Sequence, residues 1–117
     1  MKKILVVDDN SSFSYCYQRM FSNRYQLVEA SEGLEGLEKA FSERPDLIIT
    51  DSEMPVIDGY EMIRRLREDN RTMNIPILGV GYFDTDKVTL EGFWRKPLLG
   101  SDFDDIEKRA DELLMTH

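Results

Sequence analysis

Four side chains suited to cation and phosphoryl chemistry stand where apolar runs stop. Asp8 and Asp9 follow Ile4 to Val7, Asp51 follows Leu47 to Ile49 and Thr50, and Lys96 follows a short run around Phe93 to Arg95. An apolar run bounded by turn residues is what a strand buried on both faces looks like. Each of the four therefore sits at the carboxyl end of a strand, which is where open parallel sheets bind ligands. If the first and third strands are neighbours, Asp8, Asp9 and Asp51 converge. Three carboxylates repel one another unless a cation joins them, and hard oxygen donors with no His or Cys beside them favour Mg2+. Lys96 would approach Asp51 from the other side. An aspartate flanked by a metal and an ammonium is suited to attack a phosphoryl group and hold the product, because both cations offset charge on the phosphoryl oxygens.

The elements that would position these groups alternate along the chain. After the first strand, Asn10, Ser11 and Ser12 are all helix-capping residues, and Phe13, Cys16, Tyr17, Met20 and Phe21 fall on one helical face ending near Asn23. Cys16 is read as a core residue. Gln26 to Ala30 forms a second strand. Ser31, with Glu32 and Glu35 at a dipole-favoured first turn, opens a helix whose buried stripe is Leu34, Leu37, Ala40 and Phe41. Arg44 and Pro45 end it. Pro55, Asp58 and Gly59 open a third helix with Met62, Ile63 and Leu66 inward. Pro76 introduces a fourth strand, Ile77 to Val80, ending at Gly81. Ser101 or Asp102 caps a last helix with apolar positions Phe103, Ile106, Ala110, Leu113 and Leu114. This alternation predicts an α/β doubly wound five-stranded parallel sheet with helices on both sides; the expected order is the flavodoxin-like 2-1-3-4-5, in which the first and third strands are neighbours.

Composition sets the remaining bounds. The chain has 117 residues, of which 41% are hydrophobic, a length for one domain spanning 1–117. Fifteen basic against 23 acidic residues give a net charge of -8, so a direct nucleic-acid surface is not expected; a protein partner or a divalent cation fits better. One cysteine excludes an internal disulfide, and no stretch is long and apolar enough for a membrane span or shaped like a signal peptide. The cytoplasm is the default location. His117 is terminal and expected to be mobile.

The Val6–Asp9 VVDD, the DxxMPxxDG from Asp51 to Gly59, the Pro76 strand and the Lys96-Pro97 pair together resemble the receiver domain of two-component response regulators, from about Lys2 to the last helix. The resemblance implies that Asp51 is the phosphoacceptor, that Asp9 binds Mg2+ directly and Asp8 partly through water, that Glu53 supplies a backbone carbonyl to the metal, and that Lys96 contacts the phosphoryl group. It implies a cis Lys96-Pro97 bond and makes Phe93 the counterpart of the switching aromatic. Implied partners are a sensor histidine kinase or phosphotransfer protein and an output protein that the sequence does not name.

Two departures accompany the match. Receivers usually carry Ser or Thr at the end of the fourth strand; here Gly81 stands there, followed by Tyr82, and the switch hydroxyl is missing. The Tyr82 backbone N–H would remain as a donor, with Thr85 or Thr89 as candidates for a compensating hydroxyl. Second, the stretch from Gly81 to Lys96 is short, contains Gly92 and has few apolar positions at helical spacing, so the fourth helix is expected to be missing or reduced to a turn. Trp94, opposite Phe93 on its strand, is a candidate to fill that volume or an ordinary core aromatic.

Three classes of function compete. The first is a phosphoacceptor receiver, not an enzyme, signalling by protein binding. The second is a pseudo-receiver that works as a phosphorylation-independent interaction module, favoured by Gly81 and the short fourth segment and opposed by the intact acids and Lys96. The third is a Mg2+-dependent phosphohydrolase, opposed because Asp51 to Pro55 lacks the second Asp and the Thr of such enzymes.

Overall fold

Strand alternation divides the interior in two. In the computed structural model, which describes residues 1–115, β1 (Lys3–Val7), β2 (Gln26–Ala30), β3 (Leu47–Thr50), β4 (Ile77–Gly81) and β5 (Gly92–Arg95) form one all-parallel sheet in the order β2-β1-β3-β4-β5. The expectation for His117 falls outside the described residues. Because successive side chains point to opposite faces, Ile4, Val6, Leu47, Ile49, Leu78 and Val80 enter one core. Leu5, Val7, Ile48 and Ile77 enter the other. Helices α1 (Ser11–Phe21) and α4 (Gly100–Met115) cover the first core with Tyr17, Phe21, Ile106, Ala110 and Leu114. Helices α2 (Gly33–Glu43) and α3 (Gly59–Arg67) cover the second with Leu37, Ala40, Met62, Ile63 and Leu66. Each such side chain, fully buried, contributes on the order of 1.5–3 kcal/mol, so the central strands are the best anchored part of the molecule.

Local signals account for the helix ends. The Asn10 side chain accepts from Ser12 N at 2.8 Å and caps α1. Asp58 accepts from Glu61 N at 2.9 Å and caps α3. Arg44 closes α2 in the left-handed region, φ 50°. Capping side chains of this kind contribute about 0.5–2 kcal/mol each.

Several expectations are corrected. The α2 cap is Glu32, one residue beyond Ser31: Glu32 accepts from Glu35 N, and Glu35 reaches back to Ser31 N at 2.7 Å, so the two acids satisfy each other's end of the turn. Leu34 is 37% exposed and lies outside the buried stripe, where Gly33 and Gly36 stand instead. The last helix starts at Gly100, before either expected cap; Asp102 sits within its first turn and accepts from Leu99 N at 2.8 Å. Cys16 is only half-buried, and the fully buried positions of α1 are Tyr17 and Phe21.

The fourth crossover has no helix, as the short segment predicts. From Tyr82 to Glu91 the chain makes only a turn, closed by Lys87 N donating to Asp84 O at 2.9 Å. Trp94 does not fill the vacated volume, because its side of β5 faces α1 and α4. Phe83 fills it: 4% exposed, it packs edge-on to Tyr60 of α3 at 5.2 Å and to Phe93 at 6.1 Å. At the start of β4, Arg67 donates to Ile75 O and Thr89 O and pairs with Glu91 at 2.9 Å, while Glu91 accepts from Ile77 N. That network ties α3 to the start of β4 and to the chain entering β5.

Candidate functional site

The sheet delivers the four candidate residues to one place by carrying its hydrogen bonding past the strand ends. Asp51 N donates to Val7 O at 3.0 Å, Asp8 N to Ala30 O at 3.0 Å, and Lys96 N to Gly81 O at 3.1 Å. Val7 pairs with Thr50, so Asp8 and Asp51 are neighbours across the β1/β3 junction, where the strand order reverses. One carboxylate oxygen from each of Asp8, Asp9 and Asp51 lies within 4.8 Å of the others. Asp8 and Asp51 are buried and Asp9 is exposed.

Lys96 is held among them. Its Nζ lies 3.2 Å from Asp51 Oδ2 and 3.5 Å from Asp8 Oδ2, and 4.5 Å above the Phe13 ring of α1. Phe13 thus supports the ammonium as well as the core, through a cation–π contact. The Lys96-Pro97 peptide is cis, as expected. Three carboxylates against one ammonium leave the cluster two negative charges short of neutrality. Burial pushes the Asp8 carboxyl above its ordinary range and the Asp51 charge adds to this, while the Asn10 N–H and Lys96 pull it partly back. A carboxylate so placed gains from a divalent cation. The donor set, all hard oxygen and open to solvent at Asp9, suits Mg2+ with retained waters. Glu53, placed in the metal set by resemblance, has an exposed side chain on the loop after β3 and is not in the carboxylate cluster.

The β3–α3 loop is compact. Gly59 N donates to Ser52 O at 2.8 Å, and a Cβ at Gly59 would meet Asp51 O at 2.4 Å, so the loop admits only glycine there. This explains the Asp58-Gly59 pair: one residue caps the helix and the next lets it approach the site.

Sequence reasoning missed Ser52. It is 2% exposed, its N donates to Asp51 Oδ1 at 2.7 Å, and its Oγ accepts from Tyr82 N at 2.8 Å. The Tyr82 N–H, expected to be free, is therefore occupied. The signal available was a small hydroxyl residue directly after Asp51, matched by a glycine at the end of β4. Among the described residues neither Thr85 nor Thr89 has a hydroxyl bonded at the cluster; both are exposed, and the Thr89 carbonyl is tied to Arg67 at the opposite end of β4. Phe93 is half-buried against Phe83.

A doubly wound parallel sheet with an acid cluster and a lysine at its switch point defines a flavodoxin-like α/β protein. Within that class the chain belongs to the response regulator receiver domain family, whose description matches residues 4–93. It is 35% identical over 115 residues to Protein PilH of Pseudomonas aeruginosa, covering 96% of this chain and 89% of that one. It is 44% identical over 75 residues to hybrid signal transduction histidine kinase D of Dictyostelium discoideum, covering 64% of this chain and only 5% of that protein. The chain thus spans a small part of some curated relatives and most of others. Among solved structures, chemotaxis response regulator CheY4 of Vibrio cholerae superposes with a TM-score of 0.80 at 29% identity, covering 93% of this chain and 98% of that one.

Proposed function

We propose that this receiver domain accepts a phosphoryl group on Asp51 from a sensor histidine kinase or phosphotransfer protein, and signals by binding an output protein. The observation that carries the reading is the buried Asp51 carboxylate held 3.2 Å from Lys96 beside Asp8 and Asp9. In the transfer an Asp51 oxygen attacks phosphorus, the bond from phosphorus to the donor breaks, and its electron pair leaves with the donor. No proton is moved. Lys96 offsets charge growing on the phosphoryl oxygens, and its contact with Phe13 keeps it in line. Asp8, Asp9, Asp51 and the Glu53 backbone carbonyl would hold Mg2+, which when bound supplies a further positive charge to the transferring group. The protein is not an enzyme on this reading: Asp51 is modified and turns over no external substrate. No helix among the described residues is long and apolar enough to cross a membrane, and the cytoplasm is the proposed location.

The second reading is a pseudo-receiver that binds its partner regardless of phosphorylation. Gly81, which brings no hydroxyl, and the helix-free fourth crossover favour it. The deciding experiment is intact mass after incubation with acetyl phosphate, with and without Mg2+, for wild type and Asp51→Asn. A gain of one phosphoryl group that needs Mg2+ and is absent in the variant supports the phosphoacceptor. No gain, from acetyl phosphate or from a kinase, leaves the pseudo-receiver.

A further inference from the structure

Position 81 and position 52 share one small volume. A Cβ built on Gly81 would stand 2.6 Å from Asp51 Oδ1 and 2.7 Å from Ser52 Oγ. Real Cβ atoms do not come so close, so the two oxygens flank a point that glycine leaves empty. A side chain at 81 would have to displace one of them. Ser52 Oγ is therefore beside the Asp51 carboxylate, on its β4 side, while Lys96 approaches the other oxygen of the same carboxylate at 3.2 Å.

The hydroxyl also has an unused proton. Ser52 Oγ is engaged as an acceptor, from Tyr82 N at 2.8 Å, and among the described residues no bond has it as donor. Ser52 is 2% exposed, so water does not readily take that proton. A hydroxyl carries one donor and two acceptor sites, and a donor left unmet in a buried position is costly. An anion arriving on Asp51 would meet it.

We propose that the Ser52 hydroxyl donates a hydrogen bond to the phosphoryl group on Asp51, with Tyr82 N–H orienting it from behind. The inference rests on the phosphoacceptor reading and deepens it. In the transfer the bond from phosphorus to the donor breaks as the bond to the Asp51 oxygen forms. The Ser52 proton stays on Oγ throughout and only turns toward a phosphoryl oxygen. The Tyr82 N–H bond fixes the oxygen in place and polarises the O–H, since hydrogen bonds in series strengthen one another. The hydroxyl belongs to the residue directly after the acceptor, just past the end of β3, so its engagement needs no movement of β4.

The test uses the same chain as wild type, Ser52→Ala, Ser52→Cys and Asp51→Asn, with acetyl phosphate and Mg2+. A hydrogen bond to a charged group corresponds to about tenfold or more in rate. Ser52→Ala should take up the phosphoryl group about tenfold more slowly than wild type, and Ser52→Cys, which fills the same space with a weak donor, should fall between. In the phosphorylated proteins the phosphorus NMR resonance should shift between wild type and Ser52→Ala, which a purely structural role for Ser52 would not produce. If Ser52→Ala does not fold, Ser52→Cys carries the comparison. Uptake within twofold of wild type in the folded variants, with an unmoved phosphorus resonance, would overturn the proposal. A wild type that takes up nothing would instead sink the phosphoacceptor reading, and this inference with it.

Discussion

The Phe83 ring lies directly on the backbone of Gly79: a Cβ at position 79 would stand 2.7 Å from it. Phe83 thereby covers the face of β4 that a crossover helix would otherwise shield. Gly79→Ala should cost about 1–3 kcal/mol through overpacking. Phe83→Ala should cost about 3–5 kcal/mol by opening a cavity. Denaturant midpoints of the two variants would check this, and a neutral Gly79→Ala would show that the ring has room to move.

Lys96→Met keeps the apolar stem over Phe13 and removes the ammonium from Asp51 and Asp8. Uptake of phosphoryl groups from acetyl phosphate should drop about tenfold or more. Mg2+ should bind more tightly, because a competing cation is gone. Calorimetric titration separates the two effects.

Asp8→Asn removes one of three mutually repelling charges. The folded-state pKa of Asp8 is raised above 3.8, so folding favours its protonated form; that contribution is present below 3.8 and lost as the pH rises through the folded value. At neutral pH, without metal, the charged Asp8 thus opposes folding, and Asp8→Asn should melt higher than wild type. Mg2+ at a hundred times its Kd should stabilise wild type by about 2.7 kcal/mol and add little to the variant. Melting curves with and without Mg2+ decide it.

Val56 is a β-branched residue at φ 74°, 69% exposed, on the loop between Asp51 and α3. An L-residue in that region costs about 1–2 kcal/mol, partly matched by the greater freedom of an unfolded glycine. Val56→Gly should therefore stabilise the protein by up to about 1 kcal/mol. An unchanged or lower melting temperature would contradict the strain.

Tyr25 contributes to the alkaline limb of stability, beside the more deeply buried Tyr17, whose phenol is also pushed up by burial. Burial, and then the Asp111 carboxylate that accepts from its hydroxyl at 2.5 Å, raise its pKa from 10.0 to about 12. Because the folded value lies above the unfolded one, the neutral phenol's contribution is intact below pH 10 and is lost as the pH climbs toward 12. Wild type should lose stability over that window, and Tyr25→Phe should lose less.

The sequence alone determined the parts that depend on neighbours along the chain. Runs such as Leu47 to Ile49, the caps Asn10 and Asp58, and the lack of helical spacing after Gly81 report on local hydrogen bonding and hydrophobic period, and the strand ends carrying Asp8, Asp9, Asp51 and Lys96 follow from them. The 2-1-3-4-5 order then brings those ends together. What fills a space between distant segments was not legible in this way. Trp94 was a candidate for the vacated helix volume, and Phe83 took it. Leu34 has helical spacing yet faces outward, because α2 packs closely through Gly36 against Val7 of β1 and through Gly33 against Ile57 of the β3–α3 loop. Ser52 reaches the space at Gly81 only because β3 and β4 lie side by side in the sheet. Such outcomes turn on contacts of a few ångströms between residues far apart in the chain, where one methyl group decides which side chain fits, and only the tertiary structure sets those distances.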